Sequence, residues 1–102
     1  GKNYCIKKIN GNVDLKNGFF ADLDKIPVGA VVRNKKDGDL FTKFGGGTKK
    51  LNDFLTDKKI PKKDRNYIPV LAYKNIVYFV FEFAISDLIK VDENTKNIVQ
   101  FI

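Results

Sequence analysis

The 102-residue chain has no histidine and a single cysteine, Cys5. Without histidine there can be no Ser-His-Asp or Cys-His nucleophile system and no His-Glu-x-x-His zinc site, and one thiol cannot hold a zinc ion or an iron–sulfur cluster. Carboxylates do occur in close pairs, at Asp37/Asp39, Asp53/Asp57 and Asp92/Glu93. They stand among lysines in contexts that read as turns and helix ends, so they are expected to be solvated surface rather than an acid–base pair. No catalytic residue and no metal ligand set is assigned. The lone cysteine allows no internal disulfide, which makes a reducing, cytoplasmic setting the expectation. The chain reads as a binding module.

The motif closest to known chemistry is Gly45-Gly46-Gly47-Thr48-Lys49-Lys50. A glycine-rich loop entering a helix can cradle phosphate, but a P-loop needs its lysine before the hydroxyl residue and an earlier glycine at fixed spacing, and both are missing. Nucleotide hydrolysis is therefore not expected. A more general argument survives. Gly45–Gly47 cannot be helical, so Thr48 is the expected N-cap of a helix whose stripe is Leu51, Phe54 and Leu55. That would put Lys49 and Lys50 in the first turn, where positive charge opposes the helix dipole. Lys62 and Lys63 repeat the arrangement after Pro61, a residue favoured at helix starts. Cations at two neighbouring helix starts suit a bound anion, with phosphate backbone the obvious candidate. Merely soluble helix ends are the competing reading. Lys58 and Lys59 lie between the two groups and extend the same expected face.

The elements that must position these residues are legible in outline. Tyr4–Ile9 alternates like a strand, and Asn10-Gly11-Asn12 signals a turn before Val13–Leu15, giving a hairpin-like start. Phe19-Phe20-Ala21 reads as a short buried strand. Asp22 caps one helical turn through Lys25, ended by Pro27 and Gly29, and Ala30–Arg33 is another strand. Asn34–Asp39 is loop. The second helix runs from Pro61 through Asp64-Arg65, and Val70–Tyr73, a turn at Lys74-Asn75 and Ile76–Phe83 form an aromatic, β-branched hairpin. Asn97–Ile102 closes the chain. Burial is expected for Val77, Phe79 and Phe81 or their alternating neighbours. The expected fold is α+β: a small mixed or antiparallel sheet, open or barrel-like, with two short helices, in one domain over residues 1–102.

Composition narrows the partner. Hydrophobic residues make up 43% and charged residues 30%. That apolar fraction is too high for disorder, and no apolar run reaches membrane-span length. The start also lacks the pattern of a targeting presequence. Nineteen Lys+Arg against twelve Asp+Glu give a net charge of +7, and residues 33–65 alone, with eleven basic and five acidic groups, carry +6 of it. Such a segment makes a local positive field suited to nucleic acid or an acidic membrane surface, unless it is simply a solvated lysine-rich face.

An ordered set of residues carries a family resemblance: Arg33, Gly38-Asp39, Phe41, Gly45, Gly47-Thr48-Lys49-Lys50-Leu51, Asp53-Phe54, Asp57-Lys58-Lys59-Ile60-Pro61, Arg65 and Ile68-Pro69, followed by Ile85-Ser86, Lys90-Val91 and Thr95-Lys96. Over about residues 31–102 the chain resembles the C-terminal domain of tRNA(Ile)-lysidine synthetase, with residues 1–30 as lead-in strands. It departs from that pattern at Leu40 and Ala84, where arginine is usual, and at Glu82, where glycine is frequent. The resemblance implies a parent enzyme that uses ATP and Mg²⁺ to adenylate the wobble cytidine of an isoleucine tRNA and then attaches lysine. It does so from a Ser-Gly-Gly-x-Asp-Ser loop in an N-terminal catalytic domain. That loop is absent here, so no cofactor is expected in this chain. The resemblance further implies that this domain holds the tRNA acceptor stem. The residues expected to meet RNA are Arg33, Lys43, Thr48, Lys49, Lys50, Lys58, Lys59, Lys62, Lys63 and Arg65, with Arg65 alternatively an ion-pair partner of Asp57 or Asp53. The partners implied are the tRNA and the catalytic domain of the same polypeptide, with no membrane. A freestanding basic RNA-binding module and a protein–protein docking domain are the alternative readings.

Overall fold

The computed structural model describes residues 6–9 and 18–101. In chain order the strands and helices are β1 (Ile6–Ile9), β2 (Phe19–Asp22), β3 (Val31–Asn34), β4 (Leu40–Lys43), β5 (Gly47–Lys50), α1 (Leu51–Asp57), α2 (Lys62–Arg65), β6 (Pro69–Tyr73), β7 (Ile76–Val80), β8 (Ala84–Ile85) and β9 (Ile98–Phe101). Single 3₁₀ turns occupy Leu23–Lys25 and Asp87–Ile89. The Asp22 carboxylate accepts from the Asp24 N–H at 2.9 Å and caps the first of these.

The β-branched and aromatic runs of β6 and β7 form the centre of a mixed sheet ordered β3-β6-β7-β4-β5, with β8 folded back on β7. Pairing is antiparallel except for β4 with β7, where Leu40 lies opposite Ile76 and Phe41 opposite Val77 in a parallel register. The sheet is open, with β3 and β5 at its edges among the described residues, so the barrel-like option is not realised. A second, antiparallel sheet sets β9 between β1 and β2. Of the expected hairpin-like start, β1 is present and pairs with β9, while Tyr4, the Asn10-Gly11-Asn12 turn and Val13–Leu15 lie outside the described residues.

The central sheet is covered on both faces, and a bulge makes this possible. Across β6 and β7, Leu71 pairs with Phe79 but Ala72 pairs with Val77, which leaves Tyr78 as an extra residue. An inserted residue reverses the in–out alternation of a strand. Val77 and Val80 therefore join Val70 and Ala72 on the face covered by Leu51, Phe54 and Leu55 of α1. Phe79 and Phe81 join Leu71 on the opposite face, against Ala21, Val99 and Phe101 of the small sheet. Val77, Phe79 and Phe81 are all buried, as expected, but Val77 serves a different core from the other two.

Candidate nucleic-acid interface

The glycine triplet is the turn of a hairpin and does not open a helix. Gly46 N–H donates to the Lys43 carbonyl at 3.1 Å, with Gly45 at φ +67° in the third position of the turn and Gly47 at φ +72° just after it. These are left-handed conformations that glycine adopts readily. Residues 47–50 then run back along β4, Thr48 opposite Thr42 and Lys49 opposite Phe41. Thr48 is therefore not the expected N-cap: its hydroxyl meets the Thr42 hydroxyl at 2.5 Å, and Lys50 occupies the cap position with no side-chain bond to the helix. The first α1 amide, on Leu51, is instead satisfied by the Asp39 carbonyl at 2.8 Å. Lys49 is a strand residue to which the dipole argument does not apply, and Lys50 ends the strand at the N-cap of α1, ahead of its first turn.

The lysines divide by partner. Lys49 is half-buried and bound to the Asp57 carboxylate at the end of α1, a hydrogen bond that holds the Asp57 carboxyl below its ordinary pKa. Lys43 is exposed, its aliphatic stem lying across Gly46, where a Cβ would come within 2.1 Å of Lys43 Cε. Lys58 sits with its ammonium 5.6 Å from the centre of the Phe54 ring. Lys58 and Lys59 between α1 and α2 and Lys62 and Lys63 in α2 are exposed, and among the described residues none of the four along this connector, residues 58–63, is ion-paired. These four thus follow one another over the connector, and Lys43, Lys49 and Lys50 lie on the β4–β5 hairpin that precedes α1.

The two arginines are held by the protein. The Arg33 guanidinium donates to both oxygens of Asp39 at 2.8 and 2.9 Å and to the carbonyls of Asn34 and Lys74. Its pKa is raised, chiefly by the Asp39 hydrogen bonds. Four of its five donors are satisfied internally, which makes it a clamp. Arg65 is paired with neither Asp57 nor Asp53. Its Nε donates to the Ile60 carbonyl at 2.9 Å and so fixes the bend between the helices.

How α1 ends bears on function. Ile60 N–H reaches the Leu55 carbonyl at 3.0 Å and Lys59 N–H the Thr56 carbonyl at 2.9 Å, while Lys59 takes φ +59°. This is a Schellman closure, complete with its apolar contact between Ile60 and Leu55. Its left-handed position is ordinarily glycine's, and a lysine there costs ~1–2 kcal/mol. Lys59→Gly is expected to raise stability by about 0.5–1 kcal/mol, that penalty less glycine's own entropic cost. Urea melts of the two proteins measure it, and a destabilised variant would mean that the fold itself requires lysine at this position.

Beside the hairpin lies a groove of about 570 Å³ between β2, the β4–β5 turn and the end of α1. Phe20, Phe44, Lys43, Lys58, Asp57 and Lys90 are among its lining residues. Phe44 and Lys90 were not singled out as site residues from sequence. The signal available was an aromatic residue next to a basic one, Lys43-Phe44, ahead of the glycines. Among the described residues there is no cluster of His, Cys, Asp and Glu fit for a metal ion, and no helix is long and apolar enough to cross a membrane.

Fold and surface together define a small basic α+β domain with seven of its nineteen Lys and Arg residues on one connector and one hairpin. Residues 30–101 match the family model described as the TilS substrate C-terminal domain, and the chain belongs to that family. It is 42% identical over 81 residues to the tRNA(Ile)-lysidine synthase of Caldanaerobacter subterraneus subsp. tengcongensis, covering 78% of this chain and 17% of that protein. Likewise it is 42% identical over 82 residues to the tRNA(Ile)-lysidine synthase of Clostridium tetani, covering 79% and 18%. A Clostridium acetobutylicum protein of the same name is 34% identical over 94 residues, covering 91% and 20%. The chain thus spans about a fifth or less of the length of these curated relatives. The crystal structure of a TilS C-terminal domain superposes with a TM-score of 0.75, covering 96% of this chain and 81% of that one at 21% identity, so the two share a fold. The departure at Glu82 has a structural counterpart: it takes φ +71° in the turn that folds β8 back onto β7, where glycine is the easier residue.

Proposed function

We propose that this chain is the tRNA-docking C-terminal domain of a cytoplasmic tRNA(Ile)-lysidine synthase. In this reading it grips the acceptor stem of an isoleucine tRNA, while a catalytic domain of the same polypeptide carries out the ATP- and Mg²⁺-dependent chemistry at the wobble cytidine. The observation that carries the proposal is the connector: four exposed lysines without carboxylate partners among the described residues, one of them in a backbone conformation that favours glycine. Strain held at one residue marks a position kept for something other than stability, and lysines on a rigid bend suit the phosphates and 2′-hydroxyls through which RNA helices are read. The glycine triplet joins two strands, so its amides do not gather at a helix N-terminus to hold phosphate.

A salt titration of tRNA binding tests the proposal. If ~3–5 phosphates are neutralised, affinity should fall about ten- to hundredfold between low and physiological salt. Changing Lys58, Lys59, Lys62 and Lys63 together to Gln should weaken binding and flatten the logarithmic slope by up to about one unit per lost contact, with the melting temperature preserved. Identical slopes for the two proteins would make the connector ordinary solvated surface.

A further inference from the structure

The groove beside the hairpin differs in kind from the lysine connector, because it offers aromatic surface as well as charge. Phe44, in the second position of the turn, has 61% of its surface exposed. Phe20, half-buried on β2, contributes to another wall, and Phe41 and Phe54 lie beneath, their ring centres 4.6 Å apart. The charges at the rim do not cancel. Lys49 neutralises Asp57, and Asp87 engages Lys90 at 3.1 Å, which leaves Lys43 from β4 and Lys58 from the end of α1 as uncompensated cations on two separate elements. The Lys43 charge also contributes to lowering the Asp57 pKa, which places it near that carboxylate. At about 570 Å³ the groove lies within the ~300–1,000 Å³ range of small-ligand clefts.

We propose that this groove is a subsite for one unstacked nucleotide at a single-stranded end of RNA, its base against Phe44 and its phosphate between Lys43 and Lys58. A flat π-face on an exposed phenylalanine flanked by cations is the chemistry by which single strands are held without sequence readout. A paired base within a helix could not enter, so the groove separates an end from a stem. The inference rests on the tRNA-docking reading and extends it, since Lys59, Lys62 and Lys63 take the duplex and the groove, with Lys58 at its rim, takes what protrudes from it.

The test uses the chain as it stands and two RNA hairpins that share one stem, one blunt and one with a four-nucleotide 3′ tail carrying a fluorescent 2-aminopurine. The tailed RNA should bind about five- to hundredfold more tightly than the blunt one, the range for one stacked base, with the 2-aminopurine emission changing on binding. Phe44→Ala should remove most of that difference and leave blunt binding and the melting temperature unchanged, because the side chain is exposed. Asp57→Asn should tighten tailed binding ~2–5-fold by removing the carboxylate that lines the groove beside Lys43, an effect on the scale of one surface charge pair. Equal affinity for the two RNAs, a tail preference that survives Phe44→Ala, or weaker tailed binding by Asp57→Asn would each overturn the groove while leaving the connector reading intact. Failure to bind either RNA would overturn both.

Discussion

Replacing Asp39 by Ala is expected to cost ~3–5 kcal/mol, a large part of the ~5–15 kcal/mol that holds a small domain folded. The Asp39 side chain is 2% exposed and that of its partner Arg33 17%. The carboxylate accepts both guanidinium bonds and the Lys36 N–H at 2.8 Å, so its loss leaves a mostly buried cation and a backbone donor without partners. The damage would not stay local. Arg33 also holds the Lys74 carbonyl, at a turn where Lys74 takes φ +56°, and the Asp39 backbone carbonyl accepts the first amide of α1. One ion pair thus ties β3, the β6–β7 turn and the helix start together. At roughly 4–8 °C per kcal/mol, the melting temperature should drop by tens of degrees. Arg33→Leu should be equally severe, because it strands a carboxylate, and the double replacement by Leu should recover part of the loss. Arg33→Lys should not rescue, since an ammonium cannot reproduce the planar fork. If Arg33→Leu melts like the wild type and only tRNA affinity falls, Arg33 is an RNA contact after all, as the sequence suggested.

The Arg33–Asp39 pair shows how far sequence reading reaches and where it stops. Local chemistry was readable. The Leu51, Phe54, Leu55 stripe, the Asp22 cap, the β6–β7 pair and the start of the second helix at Pro61 depend on residues within a turn or two of one another. Long-range pairing was not. Thr48-Lys49-Lys50 has the look of a helix start because a hydroxyl follows glycines and precedes an apolar stripe. Gly45 and Gly47 at positive φ instead turn the chain so that these residues form a ladder with Leu40–Thr42, and lysine's low strand propensity hides it. The candidate site inherited this error. Of its lysines, Lys62 and Lys63 stand at a helix start, but on a helix of a single turn whose first and last turns coincide, and Lys50 only caps α1. The four-lysine connector and the left-handed Lys59 emerge only once the end of α1 is seen. The family resemblance was visible because it rests on residue order, which needs no knowledge of pairing.

Phe79→Ala is expected to cost ~3–5 kcal/mol, chiefly by detaching the small sheet from the large one. The Phe79 ring is 1% exposed and centred on an aromatic cluster, stacked on Phe101 at 4.3 Å and tilted against Phe81 at 4.6 Å and Phe19 at 5.2 Å. Two of these partners, Phe19 on β2 and Phe101 on β9, belong to the three-stranded sheet, so this side chain bridges the layers. It can do so only because the bulge at Tyr78 turns it away from the α1 face that Val77 fills. Deleting the ring therefore empties one core and spares the other. Amide exchange should report this asymmetry. Protection should collapse first in β2 and β9, while β6, β7 and α1, held through Val70, Val80 and Leu55, retain theirs until global unfolding. Phe79→Leu keeps most of the volume and should cost under about 1.5 kcal/mol. The connector lysines extend from α1 on the opposite face, so under conditions where the Phe79→Ala protein remains folded its affinity for tRNA should be close to that of the wild type. A loss of protection shared equally by both layers would show that the two cores form one cooperative unit and that the bulge does not insulate the lysine-bearing face.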